Sequence, residues 1–342
     1  MKIGLVGYQG SGKSTLFQWL TGVVPNPSHA HEAQAAMAAV PDPRVAQLCE
    51  IYQPKKVTEA SLEIVDTPGL SRTHEGTAAK LGQIREAGCL VMVVAAHGGA
   101  DAVADLQRFD EDLLIADLDI VQGRIERLQD QVKKPRPNRE ELLKELDALL
   151  PLQATLDAGQ SIRNLKLSVE QDLAIRSFQL FGQKPRLAIV NLADDDTAPE
   201  RFQVHAPPGT ELVAVSLSLQ LELGRMTEEE RREFCQEMGV QPFDRGELLR
   251  QMLTTSGQML FFTAGEKEVR TWLIHQGGTA VEAAGNIHTD LARGFIRAEV
   301  MTCSDLVRLG SEREVKAHHL MRKEHKDYVI QDDDIIMIQH SS

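Results

Sequence analysis

A doubly wound α/β sheet with two additions, an inserted antiparallel helical hairpin and a C-terminal α+β module, is the architecture this sequence predicts. Three observations carry that prediction. The first is a glycine-rich turn, Gly7-Tyr8-Gln9-Gly10-Ser11-Gly12-Lys13-Ser14, set between the apolar run Ile3-Gly4-Leu5-Val6 and a helix start at Thr15-Leu16-Phe17. The second is a series of apolar runs without polar alternation, separated by helical patterns, as parallel strands covered on both faces require. The third is a pair of leucine-rich helical seams, followed from about residue 257 by a strand-rich stretch of different texture.

The turn matches GxxxxGK[ST] in the context that makes it a phosphate cradle: strand before, helix after. Its glycines let backbone N–H groups converge on a polyphosphate, and the helix start adds positive potential. Gly7, Gln9, Gly10, Ser11, Gly12, Lys13, Ser14 and Thr15 are the candidate nucleotide-binding residues here. Lys13 is placed to reach the β- and γ-phosphates, and the Ser14 hydroxyl to ligate Mg²⁺. The bland alternative is a glycine-rich turn with a lone surface lysine. Strand, spacing and helix together favour the cradle.

Composition narrows the setting. A length of 342 residues suits two or three domains, and a net charge of −13 excludes a protein that coats nucleic acid with a basic surface. Neither DNA nor a membrane is an expected partner, while a local basic patch stays open to RNA. Cys49, Cys89, Cys235 and Cys303 are far apart with no CxxC, which fits reduced thiols rather than a disulfide framework or zinc site. Met1-Lys2 leads straight into the first strand, and the run Cys89-Leu90-Val91-Met92-Val93-Val94-Ala95-Ala96 is too short for a bilayer. A cytoplasmic protein is expected.

After the first helix, 22–39 shows no clear period and offers only Ser28 as a late hydroxyl. Pro41-Asp42-Pro43-Arg44 then reads as a turn entering a short helix. Ser61-Leu62-Glu63-Ile64-Val65-Asp66-Thr67-Pro68-Gly69 is the second decisive stretch, a strand ending in DxxG about fifty residues beyond the phosphate turn. In this context Asp66 is a candidate Mg²⁺ ligand, and the Gly69 N–H a sensor of the γ-phosphate. Lys13 and Gly69 are therefore the candidate catalytic residues, and 73–86 the expected second switch.

Leu114, Leu118, Val121, Ile125, Leu128 and Val132 repeat at four and three, a coiled-coil seam whose arm spans roughly 30 Å. Lys133-Lys134-Pro135-Arg136-Pro137-Asn138 breaks it, and Asn138 with Glu140 and Glu141 reads as a capped restart. A second seam runs through Leu142, Leu146, Leu149 and Leu156, interrupted by Gln153. The tip carries Lys133, Lys134, Arg136 and Arg139, read first as a solvated turn and second as an RNA contact. Ser168 and Thr227 each begin a capped helix. Arg186-Leu187-Ala188-Ile189-Val190-Asn191 and Glu211-Leu212-Val213-Ala214-Val215-Ser216 resume the sheet.

Beyond it, Met259-Leu260-Phe261-Phe262-Thr263 and Val269-Arg270-Thr271-Trp272-Leu273-Ile274 read as a hairpin. A helix over 279–291 and strands over 294–301 and at Asp334-Ile335-Ile336-Met337-Ile338 complete a module of about 85 residues. The expected domains are 1–103 with 183–256, the insertion 104–182, and the module 257–342. His318, His319 and His325 stand among Arg322, Lys323 and Lys326, read first as a solvated basic face, second as an RNA contact, and not as a metal site.

Taken together, these residues resemble the YchF subfamily of Obg-type translation-factor P-loop GTPases, over nearly the full length. The most specific stretches are Ala116-Asp117-Leu118, Phe262-Thr263-Ala264-Gly265-Glu266-Lys267-Glu268-Val269-Arg270 and Gly285-Asn286-Ile287-His288-Thr289-Asp290. The resemblance implies a C-terminal TGS domain of ubiquitin-like β-grasp fold, and Mg²⁺-dependent nucleotide hydrolysis coupled to ribosome binding, in translation or stress response. It also brings K⁺ forward as a second candidate cofactor, although Gly10 stands where the family carries the asparagine tied to potassium. Other departures are the missing threonines in 22–39 and an aspartate, in Asp332-Asp333-Asp334, where the family has glycine. Leu70 replaces the water-positioning glutamine of Ras-like proteins, as it does across the family.

Base recognition falls to Asn191, Leu192 and Asp194, with Ser216 after the next strand. Relative to NKxD, Leu192 makes the lysine position apolar. Relative to the family's NxxE, Asp194 restores the shorter carboxylate. A carboxylate only accepts, so it suits guanine N1 and N2 and not adenine N1; adenine remains readable by backbone groups through its amine. GTP and ATP both stay open, with dual use expected, as does an acidic loop without a binding role. The expected function is a purine-nucleotide NTPase docking on ribosomes or rRNA through the TGS domain and hairpin tip. A nucleotide-binding scaffold with little hydrolysis is the alternative, and a small-molecule P-loop kinase is disfavoured by DTPG and NxxD.

Overall fold

Residues 1–29, 31–71, 77–135, 137–196 and 198–341 are described by the structure, a computed structural model. They form two compact units, Met1–Ala36 with Ile64–Phe243 and Met37–Glu63 with Asp244–Ser342.

The strands of the first half are β1 (Lys2–Val6), β2 (Gln34–Ala39), β3 (Val57–Thr58), β4 (Ser61–Asp66), β5 (Cys89–Ala96), β6 (Arg186–Leu192) and β7 (Glu211–Val215). All but β3 join one six-stranded sheet in the order β2-β4-β1-β5-β6-β7. β1, β5, β6 and β7 are parallel, with Leu5 opposite Val91, Ala95 opposite Asn191 and Asn191 opposite Val215. Nearly every residue of β5 and β6 is buried, which is why their sequences show no polar alternation. The chain turns outward in both directions from β1, so the carboxyl ends beside it make the crevice where ligands bind in open α/β sheets. The edge strand β2 is an addition to the five strands expected. Its Gln-Ala-Ala-Met-Ala-Ala composition lacks the β-branched and aromatic residues that mark strands in a sequence.

The helices begin with α1 (Lys13–Thr21), α2 (Pro43–Tyr52), α3 (Thr77–Ile84), α4 (Ala102–Val132) and α5 (Arg139–Asp157). Expected as an arm beginning near 114, α4 is one helix of 31 residues, about 46 Å long, capped by Asp101 onto the N–H groups of Val103 and Ala104. Its first turns bury Leu106, Phe109 and Leu113 in the sheet's own core, so no seam separates sheet from insertion at 104. Farther along, Val121, Ile125 and Leu128 pack with Leu142, Leu149, Leu152 and Leu156 of α5. Arg124 grips Glu145 through two bonds of 2.7 Å, fixing the antiparallel register. Leu152, not Gln153, continues the second seam. Asn138 makes no side-chain cap; Arg139 Nε closes the tip instead on the Val132 carbonyl at 2.9 Å. Arg136 lies outside the described residues. Asp117 folds the return of the hairpin, accepting from the N–H groups of Phe181 (2.8 Å) and Gly182 (2.7 Å) and facing Arg85.

The second unit adds β8 (Gln258–Thr263), β9 (Val269–His275), β10 (Phe295–Thr302), β11 (Arg322–Glu324) and β12 (Asp334–His340). Its sheet runs β11-β10-β12-β8-β9-β3, with β8 and β9 an antiparallel hairpin and β12 parallel to β8. Helix Ala280–Ile287 buries Ala280 and Ala283 against Phe261 and Ile274, completing a β-grasp arrangement. The helix expected over 279–291 breaks at His288, whose backbone is extended.

The sequence expectation assigned 37–63 and 244–256 to the nucleotide domain. Both lie in the second unit instead, and the reason is packing. Val45 and Leu48 of α2 share a core with Phe262, Val269, Met301 and Leu306, and β3 pairs with β9. In the turn Asp332-Asp333-Asp334, where the family has glycine, none of the three aspartates is among the described residues with positive φ; Asp333 accepts the Ser304 N–H at 3.1 Å at the start of helix Cys303–Leu309, whose cap is Thr302.

Arg44 ties this unit together, bonding Asp42 Oδ2 at 2.7 Å and Asp332 Oδ2 at 3.0 Å, above the Phe262 ring. Burial alone would raise the Asp42 carboxyl, but the hydrogen bonds and charge of Arg44 hold it below its ordinary 3.8. A depressed carboxyl contributes stability above its unfolded value and loses it as pH falls through the folded one. Arg44→Met is therefore expected to destabilise the second unit by about 1–3 kcal/mol at pH 7. The gap from wild type should narrow in melts at pH 3.5; a gap independent of pH would disprove the assignment.

Candidate functional site

β1 delivers Gly7 to the carboxyl edge of the sheet, and the turn that follows is built by the backbone. Ser11 N–H donates to the Tyr8 carbonyl at 3.3 Å, and Gly12, at φ 102°, opens α1 with no side-chain cap. The first N–H groups of α1 are thus left for an external acceptor, the arrangement that binds anions at helix starts. A Cβ at Gly7 (φ 146°) would stand 2.3 Å from the Val93 carbonyl oxygen, so this corner of the turn admits glycine alone.

Lys13 folds back over the turn, its Nζ 3.2 Å from the Gly7 carbonyl and 3.0 Å from that of Tyr8, with 6% of the residue exposed. Burial pushes its ammonium down from 10.5 to about 8; the charge of Asp66 opposes the shift and Lys80 adds to it. Ser14 Oγ donates to Asp66 Oδ2 at 2.7 Å. Burial raises the Asp66 carboxyl against the Ser14 bond and Lys13, and its Oδ1 is buried without a hydrogen-bond partner. Two hard oxygens side by side, one carboxylate atom unsatisfied, are a donor set suited to a small divalent cation such as Mg²⁺. They face a cleft of about 440 Å³ lined also by Gln9, Gly10, Thr15 and Gly69, by Asn26 and His31 from the chain before β2, and by Gln34 at the start of β2.

The DxxG stretch is bolted to the turn. Leu70 N–H donates to the Gly7 carbonyl at 3.0 Å, Gln9 N–H to the Leu70 carbonyl at 3.1 Å, and Lys80 Nζ to the Gly69 carbonyl at 2.8 Å. Leu70 is fully buried in the sheet's core, which accounts for an apolar residue after Gly69. Of the stretch expected to switch, 73–76 lies outside the described residues. In 22–39, Pro27–His29 forms one tight turn; Ser28 is exposed, with its N–H on Asn26 Oδ1, and does not line the cleft.

At the end of β6 the structure gathers the base-recognition candidates. Asn191 Nδ2 donates to the Ser11 carbonyl at 3.2 Å, and its Oδ1 accepts the Leu217 N–H at 3.1 Å. Ser216 Oγ donates to Asp194 Oδ1 and caps helix Leu217–Leu223. Leu192 points into the core, 6% exposed. Three neighbours were not anticipated from the sequence: Lys80, His97 beside Asn191, and Tyr8, whose hydroxyl donates to Asp112 at 2.9 Å. Tyr8 fills an unrestricted position of the glycine-rich turn, Lys80 falls within 73–86 and His97 belongs to no motif, so only the fold reveals these contacts.

A parallel sheet whose first turn carries the GxxxxGKS glycines and leaves a helix start open, with the DxxG turn hydrogen-bonded to it and NxxD two strands away, defines a P-loop NTPase of the switch type. Family models agree: one described as 50S ribosome-binding GTPase matches 2–122, and the YchF GTPase C-terminal model, described as a protein of unknown function, matches 259–341. The chain belongs to the YchF family. It is 33% identical to the ribosome-binding ATPase YchF of Escherichia coli O157:H7, and 32% to that of Haemophilus influenzae, over 98% of both chains in each case. It is 33% identical to the Obg-like ATPase 1 of Oryza sativa subsp. japonica, over 99% of this chain and 92% of that one. The structure of the YchF GTPase of Schizosaccharomyces pombe matches with a TM-score of 0.86 at 27% identity, covering 99% of this chain and 97% of the other. No described helix is long and apolar enough to cross a membrane.

Proposed function

We propose that this chain hydrolyses a purine nucleoside triphosphate with Mg²⁺ and does so in association with ribosomes in the cytosol. The observation that carries the proposal is the Ser14–Asp66 contact beside Lys13, with Asp66 Oδ1 unsatisfied. Ser14 and Asp66 would hold Mg²⁺, which neutralises phosphate charge when bound. Gly7, Gln9, Gly10, Ser11, Gly12 and Thr15 cradle the phosphates, Lys13 neutralises charge that builds on the β- and γ-oxygens, and the Gly69 N–H orients the γ-phosphate. This is catalysis by positioning and charge, with no covalent step at the protein. Association with ribosomes is supported by the names of the relatives; rRNA contacts are assigned to the TGS-like second unit and to the hairpin tip at Lys133, Lys134 and Arg139.

Asp194 is assigned to the base. Its Oδ1 is held by Ser216, and Oδ2 is the acceptor offered to guanine N1 and N2. Competition calorimetry should show Asp194→Ala losing about tenfold or more in GTP affinity and under threefold for ATP. Equal losses would refute a base-reading role.

The scaffold reading is favoured by Ser28, which does not line the cleft, and by Gly10. Single-turnover phosphate release separates the two readings. Ribosomes should accelerate release, whereas exchanging K⁺ for Na⁺ should change it by less than about twofold, because Gly10 offers no side-chain oxygen to a monovalent ion. No release under any of these conditions would establish the scaffold.

A further inference from the structure

Asn191 is buried at the end of β6, and its neighbours fix both atoms of its amide. Nδ2 donates to the Ser11 carbonyl, and Oδ1 accepts the Leu217 N–H. A carbonyl only accepts and a backbone N–H only donates, so turning the amide over would oppose like with like at both ends. The third neighbour is His97, immediately beyond β5, whose Nε2 lies 3.1 Å from the same Nδ2. With the amide orientation settled, Nδ2 brings its second proton to His97, and Nε2 must present a lone pair. In this contact Nε2 of His97 is therefore the acceptor, and the ring proton sits on Nδ1.

We propose that His97 is a positioning residue for nucleotide binding. It holds Asn191 from the turn just beyond β5, and through Asn191 it holds the P-loop at Ser11 and the start of helix Leu217–Leu223 in the geometry that receives the nucleotide. The next residue of β6, Leu192, contributes apolar packing in the core, and His97 adds a third polar contact to Asn191 from just beyond the neighbouring strand. A buried side-chain amide bonded at Nδ2 on one proton alone would leave the other unsatisfied, and it would be freer to leave Ser11. The inference rests on the reading of 7–14 as the nucleotide site.

The test uses full-length protein titrated with a fluorescent N-methylanthraniloyl ATP in the presence of Mg²⁺. His97→Phe keeps the ring and removes the acceptor; His97→Gln extends an amide oxygen about as far as Nε2. The expected result is a threefold to tenfold loss of affinity for His97→Phe, near wild-type affinity for His97→Gln, and no further loss when His97→Phe is added to Asn191→Ala. Wild-type affinity in His97→Phe, equal losses in both variants, or an undiminished loss without Asn191 would each overturn the proposal. Nitrogen NMR of histidine-labelled, nucleotide-free protein at pH 8 should find Nε2 unprotonated, and a protonated Nε2 overturns the proposal whatever the variants do. Failure of the wild type to bind any nucleotide would overturn the nucleotide-site reading and this proposal with it, whereas the other adverse results strike this proposal alone.

Discussion

Lys13→Ala is expected to raise the dissociation constant for nucleoside triphosphate by about 30- to 1,000-fold while leaving the melting temperature of the free protein nearly unchanged. The two effects separate because Lys13 is poorly accommodated without an anion. It is 6% exposed, its partners among the described residues are two carbonyls, and burial lowers it to about 8. Since the folded value lies below the unfolded 10.5, the fold binds fewer protons between them, and this group's contribution to stability is least favourable below about pH 8. Removing it relieves a buried cation, which offsets the two lost hydrogen bonds. In the complex the same ammonium meets phosphate oxygens, where a charge-assisted contact in a site of low polarity contributes about 2–4 kcal/mol. Calorimetry and a thermal melt on the same sample measure both quantities. A collapse of stability with affinity intact would show that Lys13 is a structural clamp for the turn.

The sequence made one half of this site readable and left the other half to the fold. Lys13, Ser14, Asp66 and Gly69 were legible because phosphate chemistry demands fixed residue types at strand ends, and strand ends are marked by apolar runs. The ties that hold those residues were not. Leu70 pairing with Gly7 and His97 on Asn191 join positions far apart in the chain, Lys80 on Gly69 joins two nearer ones, and each does so through a single hydrogen bond, which leaves no periodicity. Domain limits failed for a related reason. The helix Pro43–Tyr52 is correctly foreseen from Pro43 after Asp42, yet nothing local shows that Val45 and Leu48 pack on Phe262 and Val269, more than two hundred residues later. Likewise α4 has a continuous helical pattern across 104, because a helix can serve two cores in succession without changing its period.

Gly7→Ala should be the most damaging single-methyl change in the nucleotide unit, lowering its melting temperature by about 10 °C and abolishing nucleotide binding. The added Cβ would lie 2.3 Å from the Val93 oxygen, a backbone atom in the buried strand β5, and neither partner can withdraw. The residue also sits at φ 146°, which L side chains rarely adopt, so strain adds to overlap for a total of about 3–5 kcal/mol. Displacing Gly7 would in turn break the Leu70 bond that joins the DxxG turn to the P-loop, so the Lys13 and Asp66 positions would fail together. Gly10→Ala is the control within the same loop: no atom lies within 4 Å of a Cβ there, and φ is 78°. Its expected cost is about 1 kcal/mol, a loss of 2–4 °C, with binding retained. Similar melting temperatures for the two variants would show that the turn is free to move away from β5, and the tight seat inferred for Gly7 would be wrong.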